Sequence, residues 1–201
     1  LVASGADATR LDEALAVLDV EVRRRFGHAL YGTGEDELSA VVGKALLARG
    51  QTLATAESCT GGMIGQTLTA VPGSSAYYLG GVVAYDNSVK RGVLGVSEAT
   101  LQEHGAVSEA CVRQMAESVR TLLGATYGVS VSGIAGPGGG TPDKPVGTVW
   151  LAASSPERTL CRLIQWPGDR EQVRKIATAA ALNLVHKLMF PERLSDPALR
   201  L

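Results

Sequence analysis

The sequence predicts an α/β fold, a three-layer α/β/α sandwich around a mixed, mostly parallel sheet. Three observations carry this. Helical and β-like segments alternate from about residue 36 onward, as parallel strands joined by crossover helices require. Two β-like runs, 147–154 and 159–165, are separated only by a short turn around Pro156, so they form an antiparallel hairpin within the sheet. The run 170–190 is apolar at Val173, Ile176, Ala177, Ala180, Leu184 and Leu188, which is the period of a helix.

The elements follow in order. Residues 8–26 place Leu11, Leu15, Leu18, Val22 and Phe26 along one helix face, and Arg23, Arg24 and Arg25 stand at its carboxyl end, where they complement the helix dipole. Glycines break the pattern over 27–36. A second helix runs from about Glu35 to Arg49 and is stopped by Gly50. The chain opens on Leu1 in mid-pattern, so residues 1–35 are expected to be the tail of a preceding segment and 36–201 the main domain. Strands are predicted at 52–56, 81–85, 126–132, 147–154 and 159–165, and further helices at 62–70, 108–123 and 170–190. No internal repeat is present.

With 45% hydrophobic and 19% charged residues the chain has ordinary globular composition, which excludes wholesale disorder. A formal net charge of −1 gives no overall attraction to nucleic acid or an anionic membrane, so any anion site must be local. Cys59, Cys111 and Cys161 cannot all pair, and no CxxC or Cys/His cluster suggests a metal. A reducing cytoplasm is the natural setting. No apolar run approaches the ~20 residues that span a bilayer, and the first thirty residues lack a signal-peptide pattern.

Four segments carry candidate chemistry. In AESCTGG (56–62) an apolar strand runs into Glu57, Ser58, Cys59, Thr60, Gly61 and Gly62 before a helix begins. Such a turn exposes a nucleophile beside free helix-start amides, although Ser58 or Thr60 would also serve as a plain helix cap. Cys59 is a rival nucleophile, but a catalytic cysteine wants a histidine, and the chain has only His28, His104 and His186. The second segment, YDNSVKRGVLGV (85–96), offers Tyr85, Asn87 and Lys90 after another strand. To act as a base Lys90 must lose its proton near neutrality through burial or a nearby cation; otherwise it is a solvated helix lysine. Tyr85 is equally an amphipathic strand end.

In the third segment, SGIAGPGGGTPDKPVGTV (132–149), Gly133, Gly136, Gly138, Gly139 and Gly140 crowd a loop between two strands, where bare backbone amides could surround a phosphate, ribose or oxyanion. It is neither a P-loop nor a GxGxxG helix start, and a plain hairpin loop explains it as well. The fourth, WPGDR (166–170), sets Arg170 at the start of the last helix as a phosphate clamp or a surface residue.

Taken together, AESCTGG, GSSAYYLGGVVAYDNSVKRGVLGV, HGAVSE, SGIAGPGGGTPDKPVGTVW and WPGDR resemble, in the same order, the C-terminal domain of the competence/damage-inducible CinA family, over about residues 36–190. That family resembles nicotinamide-nucleotide amidohydrolases, which convert nicotinamide mononucleotide to nicotinate mononucleotide and ammonia in pyridine nucleotide recycling. The resemblance implies Ser58 as nucleophile, Lys90 as general base and Tyr85 in the site, with Glu57, Thr60, Gly61, Gly62, Asn87, Gly133, Ala135, Gly136 and Arg170 as candidate substrate contacts. It also implies an α/β/α sandwich, no metal or organic cofactor, no nucleic-acid or membrane partner and a homo-oligomer. In longer family members a KH-like segment and a molybdopterin-binding-like domain precede this one. An alternative from another class is a nucleotide-binding or partner-binding module with little or no catalysis.

Overall fold

The computed structural model describes residues 3–26, 30–32, 34 and 36–191. Five strands, β1 (Leu53–Glu57), β2 (Tyr78–Val83), β3 (Tyr127–Gly133), β4 (Thr148–Ser154) and β5 (Thr159–Gln165), form one sheet in the order β2-β1-β3-β4-β5. β1 pairs in parallel with both β2 and β3, while β4 runs antiparallel to β3 and to β5. The hairpin expected around Pro156 is present.

Alternation along β1 shows how the layers arise. Leu53 packs into a core with Val42, Leu46, Ile64, Leu68, Val173 and Ala177, supplied by α2 (Leu38–Ala48), α3 (Met63–Thr69) and α7 (Arg170–Met189). Ala54 and Ala56 point the other way, toward Leu94, Val96, Cys111, Met115 and Val119. Those come from α6 (Glu109–Leu122) and the stretch after α4 (Asn87–Gly92), with α5 (Glu98–Glu103) alongside. Helices therefore cover both faces of the sheet. On the α6 side the fit is so close that a Cβ on Gly128 would run into the Ala116 carbonyl.

Local chemistry sets the helix starts. Asp86, Ser97, Ser108 and Asp169 each accept a hydrogen bond from a backbone amide two or three residues on, capping α4, α5, α6 and α7. The short helices α4 and α5 are too brief to show apolar periodicity, and the sequence reading assigned no range to either. β2 lies three residues earlier than expected, because Leu53 donates to the Tyr77 carbonyl and Ala84 to the Glu57 carbonyl, fixing its register on β1. The second helix starts at Leu38; Glu35 and part of the glycine break lie outside the described residues.

Helix α1 (Ala8–Phe26) buries none of its residues, and its expected stripe is open at Leu18 and Phe26. Arg23 pairs with Asp19 at 2.6 Å, and Arg24 and Arg25 with Glu21 at 2.7 and 2.6 Å. Each arginine of the run is thus ion-paired within its own helix. No helix among the described residues is long and apolar enough to cross a membrane.

Candidate functional site

The carboxyl ends of β1, β2 and β3 converge, and the first three candidate segments leave the sheet there. Ser58 directly follows β1; its amide donates to the Val131 carbonyl of β3 at 3.0 Å, while the Glu57 carbonyl accepts from Ala84 beyond β2 at 2.7 Å. The serine therefore stands between two neighbouring strand ends with only 8% of its surface exposed.

Glu57 is buried under the turn. Its Oε2 accepts from the Gly62 and Ile64 amides, both at 3.0 Å, and its Oε1 from the Gly65 amide at 2.8 Å. Read from the sequence as a substrate contact, it spends its carboxylate on the start of α3. Gly61 and Gly62 have φ of 61° and 95°, the left-handed region that glycine enters without strain, which lets the chain reverse into α3. The amide of Gly61, a candidate substrate contact, bonds to the Ser58 carbonyl at 3.0 Å. Among the described residues the Cys59 and Thr60 amides donate to no carbonyl. Thr60 is fully buried.

The rival thiol is buried and held in its protonated form. Burial pushes Cys59 up to about 12, and Glu57 acts in the same direction, against its own backbone amide and the Arg174 and Arg170 guanidiniums.

Lys90 sits on α4 with 1% of its surface exposed. Its Nζ donates to the Ala84 carbonyl at 2.9 Å and the Tyr85 carbonyl at 3.2 Å, so it lies against the strand end that holds Glu57. Burial pushes its pKa down; Cys111, Asp86 and Cys59 push it up. A neutral amine has two N–H groups and one lone pair. With both N–H groups on carbonyls, the lone pair is the position left over.

The rim is built by one arginine. Arg170, at the first position of α7, donates from Nη2 to the Tyr85 hydroxyl and from Nη1 to the Gly136 carbonyl, both at 2.8 Å. It joins the connection after β2 to the loop after β3, and Tyr85 remains 58% exposed. Asn87, at the start of α4, is also exposed. In the loop, Ala135 and Gly136 are buried, Gly133 is packed so tightly that a Cβ would stand 2.6 Å from Val149 Cγ2, and Gly138 is open on all sides.

Sequence reading missed Arg174. One turn beyond Arg170, it donates to the Thr60 carbonyl from Nε at 3.3 Å and Nη2 at 2.7 Å. Its i,i+4 spacing from Arg170 places both on one face of α7, and that spacing was the available signal. Lys144, also missed, ties the loop to the α6 side by donating to the His104 and Val107 carbonyls, both at 2.9 Å. A cavity of about 650 Å³ opens there between Glu103, His104, Ser108, Arg113, Lys144 and Trp150, but Ser58, Lys90 and Tyr85 do not line it. His104 caps α5, His186 is buried on α7, and His28 lies outside the described residues. Among the described residues no group of three or more His, Cys, Asp and Glu side chains could hold a metal ion.

Comparison with known proteins adds the following. The profile of the CinA C-terminal domain matches residues 35–189. A CinA-like protein of Salinibacter ruber is 54% identical over 179 residues, covering 88% of this chain and 43% of that protein. One of Myxococcus xanthus is 46% identical over 188 residues, 93% of this chain and 45% of that protein. The chain thus spans less than half the length of these relatives. A crystal structure of a competence/damage-inducible protein from Agrobacterium tumefaciens superposes with a TM-score of 0.75 at 38% identity, covering 79% of this chain and 98% of its own. One from Klebsiella pneumoniae gives 0.73 at 44% identity, covering 76% and 96%.

Proposed function

The chain belongs to the CinA C-terminal domain family, and from that premise we propose that it is a serine amidohydrolase that deamidates nicotinamide mononucleotide to nicotinate mononucleotide and ammonia. The observation that carries the reading is Lys90: a buried amine, depressed by burial, with two carbonyls on its N–H groups, on the helix that follows β2, the strand paired with β1, which leads directly into Ser58.

In this reading Ser58 Oγ attacks the carboxamide carbon while Lys90 takes its proton. The pyridinium ring withdraws electrons from the carbonyl, and its positive charge disfavours a protonated lysine beside it. The Cys59 and Thr60 amides hold the developing oxyanion, at about 3 kcal/mol for each donor lost. Collapse breaks the C–N bond, and the proton on Lys90 leaves with ammonia, giving an acyl-enzyme ester. Water then adds by the same route in reverse and releases nicotinate mononucleotide. Ser58 and Lys90 make no hydrogen bond to each other in the structure; such bonds often tighten only in the substrate complex.

Recognition falls to the rim. Arg170, Tyr85, Asn87 and the 133–136 backbone surround the mouth and offer charge and donors for ribose and phosphate. Thr60, Gly61, Gly62 and Glu57 shape the turn beneath. Residues 1–35 are read as the end of a preceding unit and the assembly as a homo-oligomer in a reducing cytoplasm. The test is ammonia release from nicotinamide mononucleotide by the wild type and by Ser58→Ala. Turnover in the first and none in the second is expected. Binding of the nucleotide without turnover by the wild type would sink the enzymatic reading in favour of a binding module.

A further inference from the structure

Two charged side chains hold the Ser58 turn from different elements, and only one has an evident local purpose. Glu57 caps α3. Arg174 comes from α7, 114 residues away, and caps nothing of its own helix. Its half-buried guanidinium converges twice on the Thr60 carbonyl, which among the described residues otherwise accepts only the Met63 amide, at 3.3 Å.

The held atom matters because of its place in the chain. Thr60 lies between Ser58 and Gly61–Gly62, two residues in the left-handed region whose missing Cβ leaves the backbone there the least restricted. The Gly61 amide on the Ser58 carbonyl closes the turn from inside, and Arg174 fixes the next carbonyl from outside. Between those two anchors are the Cys59 and Thr60 amides, which donate to no carbonyl among the described residues. The charge also counts, since the Arg174 guanidinium favours negative charge at Cys59, the residue next to Ser58.

We propose that Arg174 is a positioning residue: it orients the Cys59 and Thr60 amides toward the oxyanion that forms when Ser58 is acylated. This rests on the amidohydrolase reading for the substrate, though not for the acylation itself. Donors that act on charge present only in the transition state affect kcat and leave KM nearly alone.

The experiment has two arms on the same proteins: wild type, Arg174→Met, which removes donor and charge, and Arg174→Lys, which keeps the charge and one donor. Steady-state ammonia release from nicotinamide mononucleotide gives kcat and KM. The rate of Ser58 modification by a fluorophosphonate, followed by mass spectrometry, reads acylation without any amide substrate. For Arg174→Met, kcat and the modification rate are expected to fall about a hundredfold with KM within about threefold, and Arg174→Lys is expected to recover part of both. Thermal melting of each variant identifies one that has simply unfolded; if Arg174→Met does, Arg174→Lys against wild type carries the comparison, with a smaller loss expected in the same two rates. The proposal is overturned if every folded variant modifies Ser58 at the wild-type rate, or if the loss falls on KM alone. A wild type that reacts with the fluorophosphonate in an Arg174-dependent way but releases no ammonia overturns the substrate and leaves Arg174 in place. No reaction of the wild type in either arm overturns both.

Discussion

The turn over residues 57–65 and the loop over 133–147 both leave the carboxyl end of a parallel strand and both contain glycine, yet they are built on opposite principles. The turn is held by buried or half-buried charge: Glu57 on the Gly62 amide and two amides of α3, Arg174 on the Thr60 carbonyl. The loop is exposed over 137–143 and is held by exposed or half-buried charge at its flanks, Arg170 on the Gly136 carbonyl and Lys144 on two carbonyls of the α5–α6 connection, with a local turn between Thr141 and Lys144. Glycine content alone therefore says nothing about role. In the proposed reading the difference follows from role: a nucleophile needs a geometry fixed to a fraction of an ångström, whereas a loop that contacts substrate needs exposed backbone between its anchors.

If the turn is the chemical half, the largest effect belongs to its base. Lys90→Arg keeps a cation but no free base near neutrality, and it is expected to lower kcat at least a thousandfold. Because burial depresses Lys90, its neutral form is reached at lower pH than for an exposed lysine. The wild-type kcat/KM should therefore fall as pH drops through that depressed pKa and the amine is protonated, and it should level off above it. A flat profile on the acid side, or an active Lys90→Arg, would move the base elsewhere. Stability carries the same sign: the unfolded chain binds this proton more readily, so stability gains from Lys90 as pH rises between the depressed pKa and the ordinary lysine value.

Next in size is Glu57. Glu57→Ala strands three amides at the start of α3, and a loss of about 3 kcal/mol in denaturant unfolding is expected, since hydrogen bonds to a charged group contribute about 1.5–3 each and are not additive. Melting indistinguishable from wild type would show that the turn holds without its carboxylate, and the contrast with the loop would weaken.

The smallest effect belongs to the rim. Arg170→Ala should raise KM for nicotinamide mononucleotide about tenfold and for the riboside lacking the phosphate much less, with kcat nearly unchanged, because a phosphate contact is charge-assisted. Equal losses for both ligands would make Arg170 purely a clasp between Tyr85 and Gly136.

Short-range patterns in the chain determined much of this protein. The hairpin around Pro156, the apolar period of α7 and the strand-turn-helix at AESCTGG each depend on neighbours a few residues apart, and each is present as read. The site candidates were legible as residue types in the segments that follow strands: Ser58 directly after β1, Lys90 on the helix after β2 and Arg170 at the start of the helix after β5. What they touch was not. The Tyr85–Arg170 bond joins residues 85 apart and the Arg174–Thr60 bond residues 114 apart. Glu57 looked like a substrate contact until α3 folded back over its carboxylate, and Lys90 could have been solvated until α4 turned it onto the Ala84 and Tyr85 carbonyls. Periodicity and capping are set by local sterics and hydrogen bonding. Burial, and with it the depressed lysine and the raised Cys59 thiol, exists only once distant segments exclude water together, and that was decided by the tertiary structure.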